Sequence, residues 1–230
     1  MEALRAQRLA DAALDTQVLR VKAYQHRRFE QTYADLLASP RFGAAARFFL
    51  DDLYGPRDYS LRDTQFARVV PALVRLFPED IVHTVAQLGE LHALSEDLDT
   101  EMARSWGSHT GADLSPAQGY AMAWQAVGRP QDRHRQIALM GAVGAALDRF
   151  TRHLLLRQTL KLMRKPAQAA GLDALQSFLE QGFDTFRAMR GAEPFLATIG
   201  VREQALAASL FSADPVSLAT AEAPVLVQLP

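Results

Sequence analysis

From residue 2 to residue 38 the chain has no glycine or proline, and Leu14, Val18, Val21, Phe29, Tyr33 and Leu36 recur at helical spacing until Ser39-Pro40 stops the pattern. A period near 3.6 rather than 2 predicts a helix. A second helix is predicted over 44–54, closed by Gly55-Pro56. Ser60 followed by Asp63 reads as an N-cap with an acid in the first turn, opening a helix through 76 that Pro71 interrupts. Pro78 with Glu79 and Asp80 begins another, running to 103, and WGSHTGADL (106–114) follows as a loop. Ser115-Pro116-x-Gln118 is a capping box, with proline at the first helical position, for a helix to 127. Pro130 opens the longest uninterrupted pattern, which ends at Pro166, and further helices fit 172–190 and 195–212.

A continuous helix over 130–165 has a length of ~54 Å at ~1.5 Å per residue, and a compact chain of this size has a radius of gyration of ~17 Å. Such a helix is either a central spine or bends at Gly141 or Gly144. The small residues of GAVGAA (141–146) favour a close helix crossing there. Strand signals are nearly absent, and there is no internal repeat or separating linker. The expected fold is all-α: a single-domain bundle of about eight helices, with long N-terminal and central helices. It spans 1–212, followed by a non-helical tail over 213–230. The apolar, β-branched end of that tail, APVLVQLP (223–230), is expected to dock as an extended peptide on its own body or on a second copy.

Composition narrows the chemistry. Cysteine is absent, which removes disulfides, thiolate metal sites and cysteine nucleophiles. The opening residues mix charged and apolar positions, unlike a signal peptide, and no run of 18 apolar residues predicts a membrane span. A cytoplasmic location is the resulting expectation. The net charge is −1 but unevenly spread. Residues 48–103 carry 4 Lys/Arg against 11 Asp/Glu, whereas 104–170 carry 10 against 3. Such blocks either lie beside each other in the fold or face different partners. The balanced total makes nucleic acid an unlikely partner.

Four groups of residues are candidates for chemistry. The loop YGPRDYSLRD (54–63) offers Arg57 and Arg62 to fork onto a carboxylate or phosphate, with Asp58 beside them and Tyr54 and Tyr59 to stack on a small anionic ligand. Turn and cap chemistry accounts for most of the same residues. His92, Glu96 and Asp99 share one helix face, and an imidazole with two carboxylates suits a divalent metal. Alternatively His92, flanked by Leu88, Leu91 and Leu94, is placed to ligate haem in a globin-like manner. No repeated ExxH pair supports a di-iron bundle, and a boundary histidine paired with Glu96 is the simpler account. Arg149, His153, Arg157, Lys161 and Lys165 stand four apart, as an anion-facing stripe or as a solvated face paired with the acidic 90–101 segment. Trp106, Tyr120, Met122, Trp124 and Met140 either line a pocket or fill the core. No GxSxG, GxGxxG, Walker or HExxH motif occurs.

The segments FFLDDLYGPRDYSLRD (48–63), ARVVP (67–71), HTVAQLGELHALSEDLD (83–99) and LKLMRKPAQAAGLDALQSFLEQGF (160–183) resemble a bacterial (proteobacterial) family of unknown function over residues 30–212. The resemblance implies a bacterial origin and a helical fold, and supplies no catalytic residues. The leading functional expectation is a non-enzymatic binding or adaptor protein, acting as a homo-oligomer on a protein partner or a small ligand. Haem or metal binding at His92 is the alternative.

Overall fold

The structure is a computed structural model and describes residues 11–53, 55, 61, 64–70, 78–108 and 114–230. The described residues are helical, without strands. Helix α1 (Ala12–Thr32) starts where the Asp11 carboxylate accepts from the backbone N–H groups of Ala13 and Leu14, at 3.1 and 3.0 Å. It does not run on to Ser39. Tyr33 leaves helical geometry (φ −115°, ψ 23°) and the chain resumes as α2 (Ala34–Ala38). Tertiary contact wins there: the Tyr33 ring stacks on Phe29 at 5.5 Å and its hydroxyl donates to Glu203 at 2.5 Å. Helix α3 (Gly43–Phe48) continues into one π-helical turn, Phe49–Leu53. A Cβ on Gly43 would lie 2.7 Å from the Leu37 carbonyl oxygen, so only glycine permits this approach of α3 to α2.

Helix α4 (Glu79–Ser108) is the longest and carries Glu79 and Asp80 in its first turn, as the Pro78 signal predicts. It extends past the expected end, into the expected loop. The capping box before α5 (Pro116–Val127) is formed in both directions: Gln118 N donates to Ser115 Oγ at 3.2 Å, and Ser115 N to Gln118 Oε1 at 3.0 Å.

The expected long helix is three helices: α6 (Pro130–Thr151), α7 (Leu154–Leu162) and α8 (Arg164–Ala169). It passes through Gly141 and Gly144 unbroken and turns instead at His153 (φ −85°, ψ 104°). Buried Asp148 pins this corner, accepting from Ala192 N at 3.0 Å and Arg152 Nη2 at 2.5 Å. Helices α9 (Asp173–Ala188) and α10 (Glu193–Ser212) fall within two residues of expectation at each end. Gly144 marks the close crossing the small residues foretell, because a Cβ there would meet Leu196 of α10 at 2.5 Å. Eleven α-helices are thus defined among the described residues rather than about eight, mainly because the breaks at Tyr33 and His153 leave no proline or glycine signal and because Pro166 breaks the pattern at Met163 yet sits inside the next short helix.

The tail also departs from expectation. Asp214 caps a short helix, α11 (Pro215–Ala219), and a 3-10 turn covers Pro224–Gln228. Gln118 Nε2 donates to the carbonyls of Leu218 and Ala219, both at 2.9 Å, and Tyr24 Oη to that of Pro230 at 3.1 Å. Leu218, Ala223, Val225 and Leu229 are buried against Tyr24, Trp106 and Tyr120. The tail is docked on its own body.

Two apolar clusters form the interior. One gathers Val18, Val21, Tyr24, Trp106, Tyr120 and Leu210; the other Tyr33, Leu36, Leu139, Phe186, Phe195 and Ile199. The acidic and basic blocks lie side by side, joined where Arg135 Nε reaches Glu90 at 2.7 Å and Arg129 Nη1 reaches Asp97 at 2.6 Å. No described helix is long and apolar enough to cross a membrane.

Candidate functional site

Three charged residues occupy places where the apolar stripe of their helix calls for a hydrophobe. On α1, Arg28 follows Leu14, Val18, Val21 and Tyr24. On α6, Arg133 precedes Ile137, Met140 and Gly144. On α10, Glu203 falls between Ile199 and Leu206 in the series from Phe195 to Leu210. Helical phase therefore carries all three inward. Arg28 is 5 % exposed and Arg133 4 %. Arginine is seldom buried to this degree unless it is paired.

Arg28 is paired. Its two terminal nitrogens fork onto the Glu203 carboxylate, Nη2 to Oε2 at 2.9 Å and Nη1 to Oε1. Tyr33 Oη donates to the same Oε1 at 2.5 Å. Burial opposes the Arg28 charge, but the attraction and hydrogen bonds of Glu203 outweigh it and raise its pKa. Burial first, then the Glu203 charge, pushes the Tyr33 hydroxyl up, so it remains a donor.

Arg133 is differently placed. Its Nη1 donates to neutral Gln136 Oε1 at 3.2 Å, and its guanidinium lies 4.0 Å over the Trp124 ring. Burial lowers its pKa, against the pull of Tyr120 and Asp99. Asp99 is itself buried, its Oδ1 accepting from Gln25 Nε2 at 3.1 Å. Burial raises the Asp99 pKa, opposed by Lys22 and Arg133.

Arg28, Arg133 and Glu203 line a cavity of about 50 Å³ between α1, α5, α6 and α10, at the seam of the two apolar clusters. Its polar wall is formed by Gln25, Arg28, Arg133, Gln136 and Glu203 with Tyr120 and Trp124; the remaining lining, from Phe29 to Ala207, is apolar. Three buried side-chain atoms among the described residues have no hydrogen-bond partner: Arg28 Nε, Trp124 Nε1 and Arg133 Nη2. All three belong to residues of this one cavity. All three are donors. A smaller apolar void of about 20 Å³ adjoins it, sharing Phe29 and Met140 as walls.

The residues singled out from sequence lie elsewhere, with partial exceptions. Tyr54, Arg57, Asp58, Tyr59 and Arg62 fall outside the described residues. His92 is half-buried on α4, Glu96 takes an ion pair from Lys22 at 2.5 Å, and Asp99 faces Gln25. Among the described residues no three His, Asp or Glu side chains converge to hold a metal ion. Arg149 and Lys161 are exposed, while Arg157 Nε reaches Asp184 at 2.8 Å and Arg164 Nε reaches Glu180 at 2.6 Å. The stripe thus leans on α9 rather than on the acidic segment of α4, and the turns at His153 and Met163 break its line. Tyr120, Trp124 and Met140 serve both readings, as core residues that also wall the cavity. Arg28, Arg133 and Glu203 were missed, although a charge in phase with an apolar stripe is legible without a structure.

The fold and cavity define an all-α helical bundle with a pocket walled in part by two buried arginines, Arg28 and Arg133. The family model described as Domain of unknown function (DUF8198) matches residues 4–217, and the chain belongs to that family. No curated protein and no solved structure matches it.

Proposed function

We propose that this chain is a binding protein that holds a small ligand in the cavity between α1, α5, α6 and α10. The observation that carries this reading is a cavity whose wall brings together two buried arginines, Arg28 and Arg133, with Trp124, Glu203 and two glutamines. Buried charged side chains gathered around one space are the polar groups that orient a small ligand in an otherwise apolar pocket. At roughly 10–15 Å³ per water-sized centre, the volume holds about three to five small groups.

Native mass spectrometry of the protein as purified tests the proposal. The expected spectrum shows a small bound mass that disappears in Arg133→Met, with far-UV circular dichroism unchanged. A bare polypeptide mass, combined with no rise in Tm across a panel of small anions and neutral acceptors, overturns it. The same spectrum counts copies, and so tests the homo-oligomer expected from the amphipathic helices. It would also register haem or a metal held at His92.

A further inference from the structure

We propose that α7, with the turn that follows it, is a docking surface for an anionic membrane interface. This surface is separate from the cavity, and it starts from apolar side chains that the fold leaves in water.

Helix α7 (Leu154–Leu162) carries leucine on two sides. It packs on α9, where Gln176 Nε2 donates to the Leu160 carbonyl at 2.6 Å, and Leu156 and Leu160, one turn apart, are half-buried. Leu155 and Leu162 stand two turns apart on a different face and are 76 % and 78 % exposed. Met163, where the helix ends, is 47 % exposed. A lone exposed leucine needs no explanation, but three large apolar side chains between 155 and 163 form a patch that packing on α9 does not call for.

The patch has a cationic surround. No Asp or Glu occurs from residue 149 to residue 172, whereas Arg149, Arg152, Arg157, Lys161, Arg164 and Lys165 all fall there. Carboxylates of flanking elements neutralise three of them: Asp148 pairs with Arg152, Asp184 with Arg157 and Glu180 with Arg164. Arg149, Lys161 and Lys165 are exposed and enter no ion pair among the described residues. The backbone at Met163 (φ −74°, ψ −8°) stays in the right-handed region, so helical phase carries Lys165 one turn beyond Lys161. The two lysines border the face of Leu155 and Leu162 on one side.

Residue type selects the partner. A second copy of the chain would bring the same three cations together across a two-fold axis. The cores of protein interfaces are depleted in lysine. Single-stranded nucleic acid is held by stacking on aromatic rings, which α7 lacks, and leucine gains nothing from phosphate. A bilayer surface uses every part of the patch. Leucines enter the boundary between headgroups and acyl chains, while lysine stems lie along the apolar surface and keep their ammonium groups among the phosphates. The uncompensated cations complement the negative potential of an anionic leaflet.

Flotation of the full chain with vesicles of equal parts phosphatidylcholine and phosphatidylserine, beside vesicles of phosphatidylcholine alone, tests the proposal. Saturable binding to the mixed vesicles is expected, far weaker binding to phosphatidylcholine, and a steep loss as salt rises. Lys161→Gln combined with Lys165→Gln is expected to weaken partitioning about 25-fold, or five-fold for each cation at 1 kcal/mol. Leu155→Ser combined with Leu162→Ser keeps every charge and is expected to weaken it at least as much. All four positions are exposed, so the circular dichroism and Tm of both double variants are expected to match those of the parent. In Leu162→Trp, emission is expected to move to the blue when mixed vesicles are added. Absence of binding to the mixed vesicles at low salt, or binding that neither double variant alters, overturns the proposal. So does a dimeric native mass that the leucine variant reduces to a monomer without vesicle binding, which gives the face to a second copy. Lysine-dependent capture of polyglutamate without vesicle binding gives it to an acidic polypeptide and overturns the proposal as well.

Discussion

Glu203 of α10 gathers the polar atoms of Arg28 on α1 and of Tyr33 at its end, and its loss is expected to cost more than any surface charge. In Glu203→Gln the Arg28 guanidinium stays buried with its partner neutralised, and Tyr33 loses a charged acceptor. Removing one side of a buried ion pair costs about 3–5 kcal/mol. Tyr33→Phe removes only the hydroxyl and is expected to cost about 1.5–3 kcal/mol, the range for hydrogen bonds to charged groups. Urea unfolding of both variants and of the double variant checks this, and strongly non-additive losses are expected because they share one acceptor. Asp99 gives a residue-scale prediction of opposite character. Its folded pKa is raised above the ordinary 3.8, through burial, against Lys22, Arg133 and Gln25, and with Glu96 adding to the rise. The neutral form is therefore favoured by folding. Its stabilising contribution is complete below pH 3.8 and is lost as pH rises through the folded value. Asp99→Asn is expected to flatten the fall in Tm above pH 4; an unchanged Tm–pH curve would show that folding does not raise the Asp99 pKa.

Among the helices, the glycines separate packing from propensity. In α5 a Cβ on Gly119 would lie 2.5 Å from Trp106 Nε1, and that indole is wedged edge-on between Tyr24 and Tyr120 at 5.0 and 5.6 Å. The ring has nowhere to go. Gly119→Ala is expected to destabilise by about 1–3 kcal/mol through overpacking. Gly89, inside α4, has nothing within 4 Å of its position, so Gly89→Ala is expected to stabilise by about 0.5–1 kcal/mol. Calorimetric Tm values of opposite sign for the two variants check the pair. The same distinction explains how much of the fold the sequence discloses. Boundaries set by local chemistry were legible: the Ser115–Gln118 box, the Pro78 start of α4, the small-residue crossing at Gly144. Boundaries set by distant partners were not. Tyr33 breaks α1 because Glu203 lies 170 positions away, and the α6–α7 corner is fixed by Asp148 reaching Ala192. Candidate chemistry followed the same rule. Charges clustered in a loop or on an exposed stripe stand out in a sequence, whereas the cavity draws its wall from four helices, and on three of them the mark is one charge out of place in an apolar series.

For the molecule as a whole, the docked tail closes one of the two interior clusters. Residues 223–230 bury Ala223, Val225 and Leu229 beside Trp106 and Tyr120, and the Tyr24 hydroxyl of α1 donates to the Pro230 carbonyl. The segment is held by burial of those three side chains against the aromatic cluster and by the Tyr24 hydrogen bond, while ordering of its backbone opposes docking. A chain ending at Glu222 is therefore expected to remain helical by circular dichroism and to lose only a modest amount of stability. Its aromatic cluster, however, loses its cover. Tryptophan emission is expected to shift to the red as Trp106, 2 % exposed in the full chain, meets water, and an apolar dye is expected to bind where the full chain binds little. The cavity around Trp124 and Arg133 lies on the other side of Tyr120, whose ring sits 5.6 Å from Trp106 and 6.0 Å from Trp124. If the cluster is one rigid layer, truncation also loosens that wall, and any ligand held there is expected to bind more weakly without a single contact residue having been changed. Unaltered emission and unaltered ligand affinity would show instead that the tail only rests on a core already complete.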